Sequence, residues 1–456
     1  MIRFNIALLA GKITSFGCKI LKNLLHRGGS NLPGKLALKI DPLFLSHISK
    51  PKTILAVTGS NGKTTTTNMV ADIFEKCNFR VATNRMGSNI NTGIATCLLN
   101  STTLCNKSNK DIAVLEVDER SSLRIYPYVH PDFLLVTNLS RDSLKRNAHP
   151  FFIRDFIQQS LPNDCVLVLN ADDLISASIK PENKRVYYGI DRQKDDASVC
   201  CNLINDLRAC PRCGSIMATD FCRYNHIGRM HCPACGLKSP IADVNVKYID
   251  YKKRMLILAN GEVYPLLNDG IFNIYDEIAA IALLRTYGID GNTISNALLD
   301  ITITDSRYSE KTINGVHIIR QMAKGQNATA CSSAFKYVCS IPGQKEILLI
   351  LEDPRDQATG TENPAYLYET DFEFLNSLDI EKIIISGKCL IEDVSLRLQL
   401  AGIPQDKIII GSDDPSNDVA LFDINPNINL FIVHDNYQIQ SAMSAEKNLI
   451  NAIQNS

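Results

Sequence analysis

The run Val57-Thr58-Gly59-Ser60-Asn61-Gly62-Lys63-Thr64-Thr65-Thr66 constrains this 456-residue chain more than any other stretch. It follows the apolar run Thr53-Ile54-Leu55-Ala56-Val57 and precedes a helical pattern, Met69-Val70-Ala71-Asp72-Ile73-Phe74. A strand, a glycine loop and a helix in that order present backbone N–H groups and the positive end of the helix to an anion. Lys63 would set a charge on the outer phosphates of a nucleotide, and the Thr64 hydroxyl would hold Mg²⁺. Gly59, Asn61, Gly62 and Thr65 complete the expected cradle. Position 57 is valine where the general phosphate-loop pattern has its first glycine, so the shorter Gly-x-x-Gly-Lys-Thr-Thr form remains. A plain glycine turn with an exposed lysine would not require the strand, lysine and threonine to fall in register with it.

Length allows roughly three domains. Charge is balanced, 48 basic against 48 acidic residues, which argues against a global field for nucleic acid. The 15 cysteines are odd in number and scattered except for one cluster, a pattern of reducing cytosol with one metal site. No apolar run approaches the length needed to span a bilayer. In residues 1–50, a helical lead-in, Ile2, Phe4, Ile6, Leu8, Leu9, Ile13, Phe16, Ile20, Leu21, Leu24 and Leu25 recur at roughly helical spacing, broken by Lys12, Lys19, Lys22 and Arg27. Such a helix either docks on the next domain or lies on an anionic membrane surface at the inner face of the membrane. It lacks the form of a secretory signal. Arg27–Lys35 reads as a loop.

A central domain is expected over 51–302; in it, from Thr53 to about Leu174, strands and helices alternate, and the expected strands are Ile54–Val57, Ile112–Val117, Phe133–Thr137 and Val166–Leu169. These predict a parallel sheet wound with helices, whose ligands sit at the carboxyl ends of the strands. Three polar clusters fall at such ends. Glu116-Val117-Asp118-Glu119 offers carboxylates for Mg²⁺. Thr137-Asn138-Leu139-Ser140-Arg141-Asp142 offers an amide and a guanidinium for phosphate or carboxylate. Leu169-Asn170-Ala171-Asp172-Asp173 is the third. The glycine- and asparagine-rich Asn84–Gly93 is either a substrate contact or a surface turn.

Cys210-Pro211-Arg212-Cys213 and Cys232-Pro233-Ala234-Cys235 form two knuckles spaced C-x₂-C-x₁₈-C-x₂-C, inserted at about 205–240. This spacing suits a zinc ribbon, and four thiolates close the tetrahedron and leave no position for water, so the metal would be structural. Val244–Tyr248 and Met255–Leu258 read as a hairpin. Asn273, at the start of an apolar helix, either caps it or contacts a base; its spacing favours the cap. A second α/β unit is expected over 303–456. Asp305-Ser306-Arg307 opens it, and strands are expected at Val316–Arg320, Glu346–Leu351, Lys382–Ile385, Lys407–Ile410 and Leu430–Val433. The acidic loop Glu352–Asn363, at a strand's carboxyl end, is a candidate site.

Together these residues resemble the Mur ligase superfamily. Its nucleotide loop is similar to Thr58–Thr65, its Mg²⁺-linked glutamate to Glu116, and its helix-opening asparagine to Asn273. Within the superfamily the chain resembles the MurT family, by Arg27–Lys35, Glu116–Glu119, Thr137–Asp142, the four-cysteine insertion and the stretch ending Asp371-Phe372-Glu373. The resemblance spans nearly the whole chain. It implies a central ATP-binding domain with a ribbon insertion and a C-terminal partner-binding domain. It implies ATP-dependent amidation of the D-glutamate α-carboxyl of lipid II to D-isoglutamine through an acyl phosphate. The ammonia would come from a GatD-like glutamine amidotransferase partner. Lys63 and Glu116 would be catalytic, with Asn138, Asn273 and Arg307 among the nucleotide contacts.

The chain departs from the family in three places. The family's acidic-loop aspartate completes the partner's triad, and its match here is Glu362, or Asn363 or Asp356 under other gap placements. In the same stretch a Trp-x-Trp pair reads Tyr366-Leu367-Tyr368. Ala323-Lys324-Gly325-Gln326-Asn327 replaces a longer loop, and Asp276 stands where asparagine is usual. Two other readings fit the same residues: a Mur-type ligase that joins an amino acid without a glutaminase, and a non-catalytic scaffold binding nucleotide and zinc.

Overall fold

The computed structural model describes residues 2–25, 31–85, 88–142, 149–301, 308–352 and 364–455. The chain divides into two compact units. The first comprises Met1–Ser140, His149–Val199 and Leu207–Thr302; the second comprises Arg141–Ala148, Cys200–Asp206 and Ile303–Ser456.

The first unit is built on a nine-stranded sheet. Its strands are β1 (Thr53–Thr58), β2 (Val81–Thr83), β3 (Ile112–Glu116), β4 (Phe133–Val136), β5 (Val166–Asn170), β6 (Arg185–Ile190), β9 (Val244–Asp250), β10 (Met255–Leu258) and β11 (Val263–Pro265), while β7 (Ala218–Tyr224) and β8 (Ile227–His231) pair separately. The order is β11-β10-β9-β6-β5-β4-β1-β3-β2. Strands β2 to β9 in this sheet run parallel, and β9, β10 and β11 form an antiparallel edge. Alternate residues of β1 face two separate cores. Leu55 and Val57 pack with Val70, Phe74, Ile278 and Ile281, whereas Ile54 and Ala56 pack with Phe44, Leu98 and Leu99. Helices therefore cover both faces, which is why the strands read as unbroken apolar runs. Each fully buried Leu, Ile or Phe contributes about 1.5–3 kcal/mol.

The second unit holds a six-stranded sheet of β12 (Tyr308–Ile313), β13 (Val316–Met322), β14 (Gln344–Ile350), β15 (Ile380–Ile385), β16 (Ile408–Ile410) and β17 (Ile428–His434), in the order β12-β13-β17-β14-β15-β16. Only β12 is antiparallel, on β13. It is an edge strand with Glu310, Lys311 and Thr312 exposed, so no alternation marked it in the sequence. The fold is thus mixed α/β throughout.

Two expectations need correction. Arg27–Lys35 is not all loop, because a helix runs over Leu32–Ile40 with Pro33 in its first turn, where a proline needs no donor. Gly34 belongs to a helix contact: a Cβ there would lie 2.0 Å from the Thr92 carbonyl, and the Gly34 N–H donates to Thr96 Oγ1 at 2.9 Å. Residues Ile2–Leu21 are also long and apolar enough to cross a bilayer, with mean hydropathy 1.3, although lysines interrupt the run. The average over a helix, not an unbroken run, sets that property.

Candidate nucleotide and metal sites

The glycine loop leaves the carboxyl end of β1, an interior strand between β4 and β3. Gly59 has φ +132° and Gly62 φ +84°, the left-handed region that glycine alone enters cheaply. Space is closed as well. A Cβ at Gly59 would lie 2.2 Å from Thr137 Oγ1, and one at Gly62 would lie 1.9 Å from Asp276 Oδ1. Gly62 then caps the helix Lys63–Lys76. The first-turn N–H groups of a helix have no intrahelical acceptor, and here they lie beside the loop.

The loop is clamped from β4's end. The Ser60 N–H donates to the Asn138 carbonyl at 2.8 Å, and the Asn61 N–H to Asn138 Oδ1 at 3.2 Å. Asn138 Nδ2 and Thr137 Oγ1 both donate to the Asn61 carbonyl, at 3.1 and 2.6 Å. Ser60 and Ser140 exchange two more bonds. Asn138 therefore shapes the cradle with its whole amide.

Glu116 ends β3 directly beside Val57. Asn89 Nδ2 donates to its carboxylate at 2.9 Å, and Asn84 bonds both its backbone N–H and its carbonyl. The loop 84–93 is thus in part a support for Glu116. Lys63 Nζ meets Glu119 Oε1 at 2.7 Å, with the glutamate 2% exposed, and also donates to the Gly59 and Ser60 carbonyls. Composition alone did not single out Glu119 as the lysine's carboxylate, since the acidic turn offers three.

Asn273 is not the helix cap. Gly270 is, and Asn273 lies in the first turn of Ile271–Tyr287, donating to Asn268 Oδ1 at 2.9 Å. Asn268 Oδ1 also receives the Gly270 N–H, so it fixes the helix start. One turn on, Glu277 is fully buried. It accepts from the Leu267 N–H at 3.2 Å, and burial pushes its carboxyl up to about 8.

The third polar cluster serves the ribbon. Asp172 receives Arg223, Arg229 and the Tyr275 hydroxyl, and Asp173 receives His226 and the Ile175 and Ser176 amides of the helix Leu174–Ala177. These buried carboxylates tie the β7–β8 hairpin to the sheet. In the ribbon, Sγ atoms of Cys210, Cys213, Cys232 and Cys235 all lie within 4.8 Å of one another. Gly214 and Gly236, at φ +76° and +72°, turn each knuckle, whose backbone returns N–H bonds to Cys210 and Cys232. Hydrogen bonds from Ser215 hold the Cys213 thiol down at about 6. Four sulfur donors at this spacing fit a tetrahedral soft-metal site.

In the second unit, Arg141 meets carboxylates rather than open space: Asp206 at 2.6 Å and Glu369 at 2.7 Å. Asp371 receives Asn202 Nδ2 and the Leu203 N–H, and Glu373 pairs with Arg397. The acidic stretch 369–373 is therefore consumed in packing. Glu352, at the end of β14, accepts from Gln438 and the Cys389 N–H, and its own N–H donates to Asp435 Oδ2. Burial raises Asp435 to about 6. Glu362, Asn363, Asp356 and Arg307 lie outside the described residues.

Residues 57–207 match the Mur ligase middle domain family, and residues 325–437 match the MurT ligase C-terminal family. The chain is 30% identical over 378 residues to the lipid II isoglutaminyl synthase (glutamine-hydrolyzing) subunit MurT of Staphylococcus aureus strain COL, covering 82% of this chain and 84% of that one. It is 30% identical over 412 residues to the same subunit of Streptococcus pneumoniae R6, covering 89% of each. Its fold resembles a pseudomurein peptide ligase type C from Methanothermus fervidus, with TM-score 0.66 at 22% identity, over 88% of this chain and 80% of that one.

Proposed function

We propose a function from one premise: the chain belongs to the MurT family of lipid II isoglutaminyl synthase subunits. It is the ATP-dependent ligase subunit that amidates the D-glutamate α-carboxyl of lipid II to D-isoglutamine in peptidoglycan synthesis. It works in the cytoplasm. Its ammonia comes from a GatD-like glutamine amidotransferase, with which it forms a heterodimer.

The single observation that carries this reading is the clamped glycine loop, with Lys63 at the head of its helix and Glu116 beside it in the sheet. A carboxylate is a poor acyl donor because oxide is a poor leaving group. Transfer of the γ-phosphoryl group of ATP to a carboxylate oxygen gives an acyl phosphate and ADP. Ammonia then adds to the carbonyl carbon, the C–O bond to phosphate breaks, and the proton the amine sheds passes to the departing phosphate, giving amide and inorganic hydrogen phosphate. Such transfer asks mainly for positioning and charge neutralisation.

Lys63 supplies one positive charge and the helix N-terminus a partial one. Gly59, Asn61, Gly62, Thr64 and Thr65 line the phosphates. Thr64 and Glu116 would hold Mg²⁺, which spreads the charge of the transferred group. Asn138 acts by holding the loop, and Asn273 and Arg307 belong to the nucleotide end. The four cysteines would hold zinc as a structural closure of the ribbon. Glu362 is the proposed match for the residue that completes the partner's triad, with Asn363 and Asp356 as other placements.

The test is amidation of lipid II by the chain with ATP and ammonium, followed by mass spectrometry of the stem peptide. Wild type should give the amide and Lys63→Ala should not. Equal product from both would overturn the roles given to the loop.

A further inference from the structure

The helix Ile2–Leu25 has two faces with different fates. Phe4, Ala7, Leu8, Gly11 and Ser15 are buried against the first unit. The contact is close: the Phe4 and Phe44 rings lie 5.6 Å apart, and a Cβ at Gly11 would lie 2.3 Å from Leu99 Cδ1. On the other face, Ile2, Ile6, Leu9, Ile13, Phe16 and Ile20 are all exposed, Phe16 at 68% and Ile13 at 64%. Their spacing alternates four and three residues, so they form one continuous apolar stripe about 27 Å long. An exposed stripe of that size on a surface helix needs a covering partner.

Charge identifies the partner. No acidic residue occurs before Asp41, whereas Arg3, Lys12, Lys19, Lys22, Arg27, Lys35 and Lys39 are all basic, in a chain whose charges balance overall. The stripe's spacing would also suit pairing with a second copy of the helix. The positions flanking such a seam, however, are Arg3, Asn5, Ala10, Lys12, Gly17 and Lys19. Two copies would bring these cations to one seam with no carboxylate on the helix to pair them, which disfavours a coiled seam. Lys12 turns inward to the Thr102 carbonyl, while Arg3 and Lys19 stay exposed beside the stripe, and Lys35 and Lys39 are exposed on the neighbouring helix. An apolar stripe edged by cations fits an anionic bilayer surface, with the rings and methyl groups in the acyl boundary and the cations at the headgroups. The inner face is packed into the domain, so the helix lies on the surface and does not cross it.

We propose that this helix docks the protein on anionic lipid bilayers through Ile2, Ile6, Leu9, Ile13, Phe16 and Ile20. The docking stands apart from the ligase reading, although a lipid-borne substrate would give it a use.

The test is flotation of the full chain, without nucleotide or substrate, on vesicles of phosphatidylglycerol with phosphatidylcholine and on vesicles of phosphatidylcholine alone. The expected result is binding to the first, weakened by high salt and released by carbonate extraction. Ile13→Asp and Phe16→Asp change exposed side chains, so both should keep the wild-type melting temperature and the wild-type response to nucleotide. Each should lose about tenfold or more in vesicle affinity. Arg3→Glu with Lys19→Glu should weaken binding to anionic vesicles alone. Equal binding to both vesicle types, no binding, or binding that resists carbonate would overturn the proposal. So would a dimer in solution that Phe16→Asp dissociates, since the stripe would then be covered by a second copy.

Discussion

Lys63 Nζ and Glu119 Oε1 lie 2.7 Å apart, the lysine side chain 11% exposed and the glutamate 2%. The cation assigned to the nucleotide phosphates is thus already paired with a buried carboxylate of the neighbouring acidic turn. A buried pair resists loss of one member more than loss of both. Lys63→Met should therefore destabilise the chain by about 3 kcal/mol as well as abolish ATP turnover. Adding Glu119→Gln should restore most of the stability and none of the turnover. Denaturant melts and phosphate release on the two variants check this. Full turnover in Lys63→Met would contradict the assignment.

Gly62 combines a left-handed backbone with a closed space at Asp276. Gly62→Ala should cost about 1–3 kcal/mol and weaken nucleotide binding at least about tenfold. Gly261 has a similar φ, +88°, with nothing within 4 Å of a Cβ. Gly261→Ala should cost only about 1 kcal/mol and leave nucleotide binding intact. Calorimetric titration with a non-hydrolysable ATP analogue separates them. Equal effects would mean that backbone conformation alone matters.

Glu277 keeps its proton far above the ordinary carboxylate range, to about 8 against 4.5. The folded chain holds a proton there that the unfolded chain releases. This contribution is therefore full below pH 4.5 and is lost as pH rises towards 8, with a size of a few kcal/mol. Glu277→Gln should remove that slope and raise the melting temperature most at pH 8. Thermal melts from pH 5 to 9 decide it, and parallel curves for both proteins would show that the carboxyl ionises freely.

The four ribbon thiols should hold about one zinc per chain. Cys213→Ser and Cys232→Ser should each lose the metal, measured by plasma mass spectrometry, and lower the melting temperature. A strong chelator should do the same to wild type, with re-addition of zinc restoring it. ATP turnover should fall less than stability, because the ribbon joins the sheet through Asp172 and Asp173 rather than through the glycine loop.

The sequence revealed most where one residue type has one physical use. The apolar runs that became β1, β3, β4 and β5 were legible because strands covered on both faces carry polar residues only at their ends. The ribbon was legible because its cysteine spacing has few other meanings. Partnership was harder to read. Asp172 and Asp173 resembled site carboxylates, but their cations, Arg223, Arg229 and His226, sit more than 50 residues away in sequence. Asn273 read as a cap because asparagine commonly caps, while the donors there are held by Asn268. Edge strand β12 and three-residue β2 were missed because neither carries an alternating pattern.

The most direct test of the central claim follows oxygen. Lipid II labelled with ¹⁸O in the D-glutamate α-carboxyl is incubated with the chain, its glutaminase partner, ATP and glutamine. The account predicts one ¹⁸O in the inorganic phosphate for each amide formed, because the acyl phosphate leaves with a substrate oxygen. Amide formed with unlabelled phosphate, or phosphate released with no amide, would contradict it.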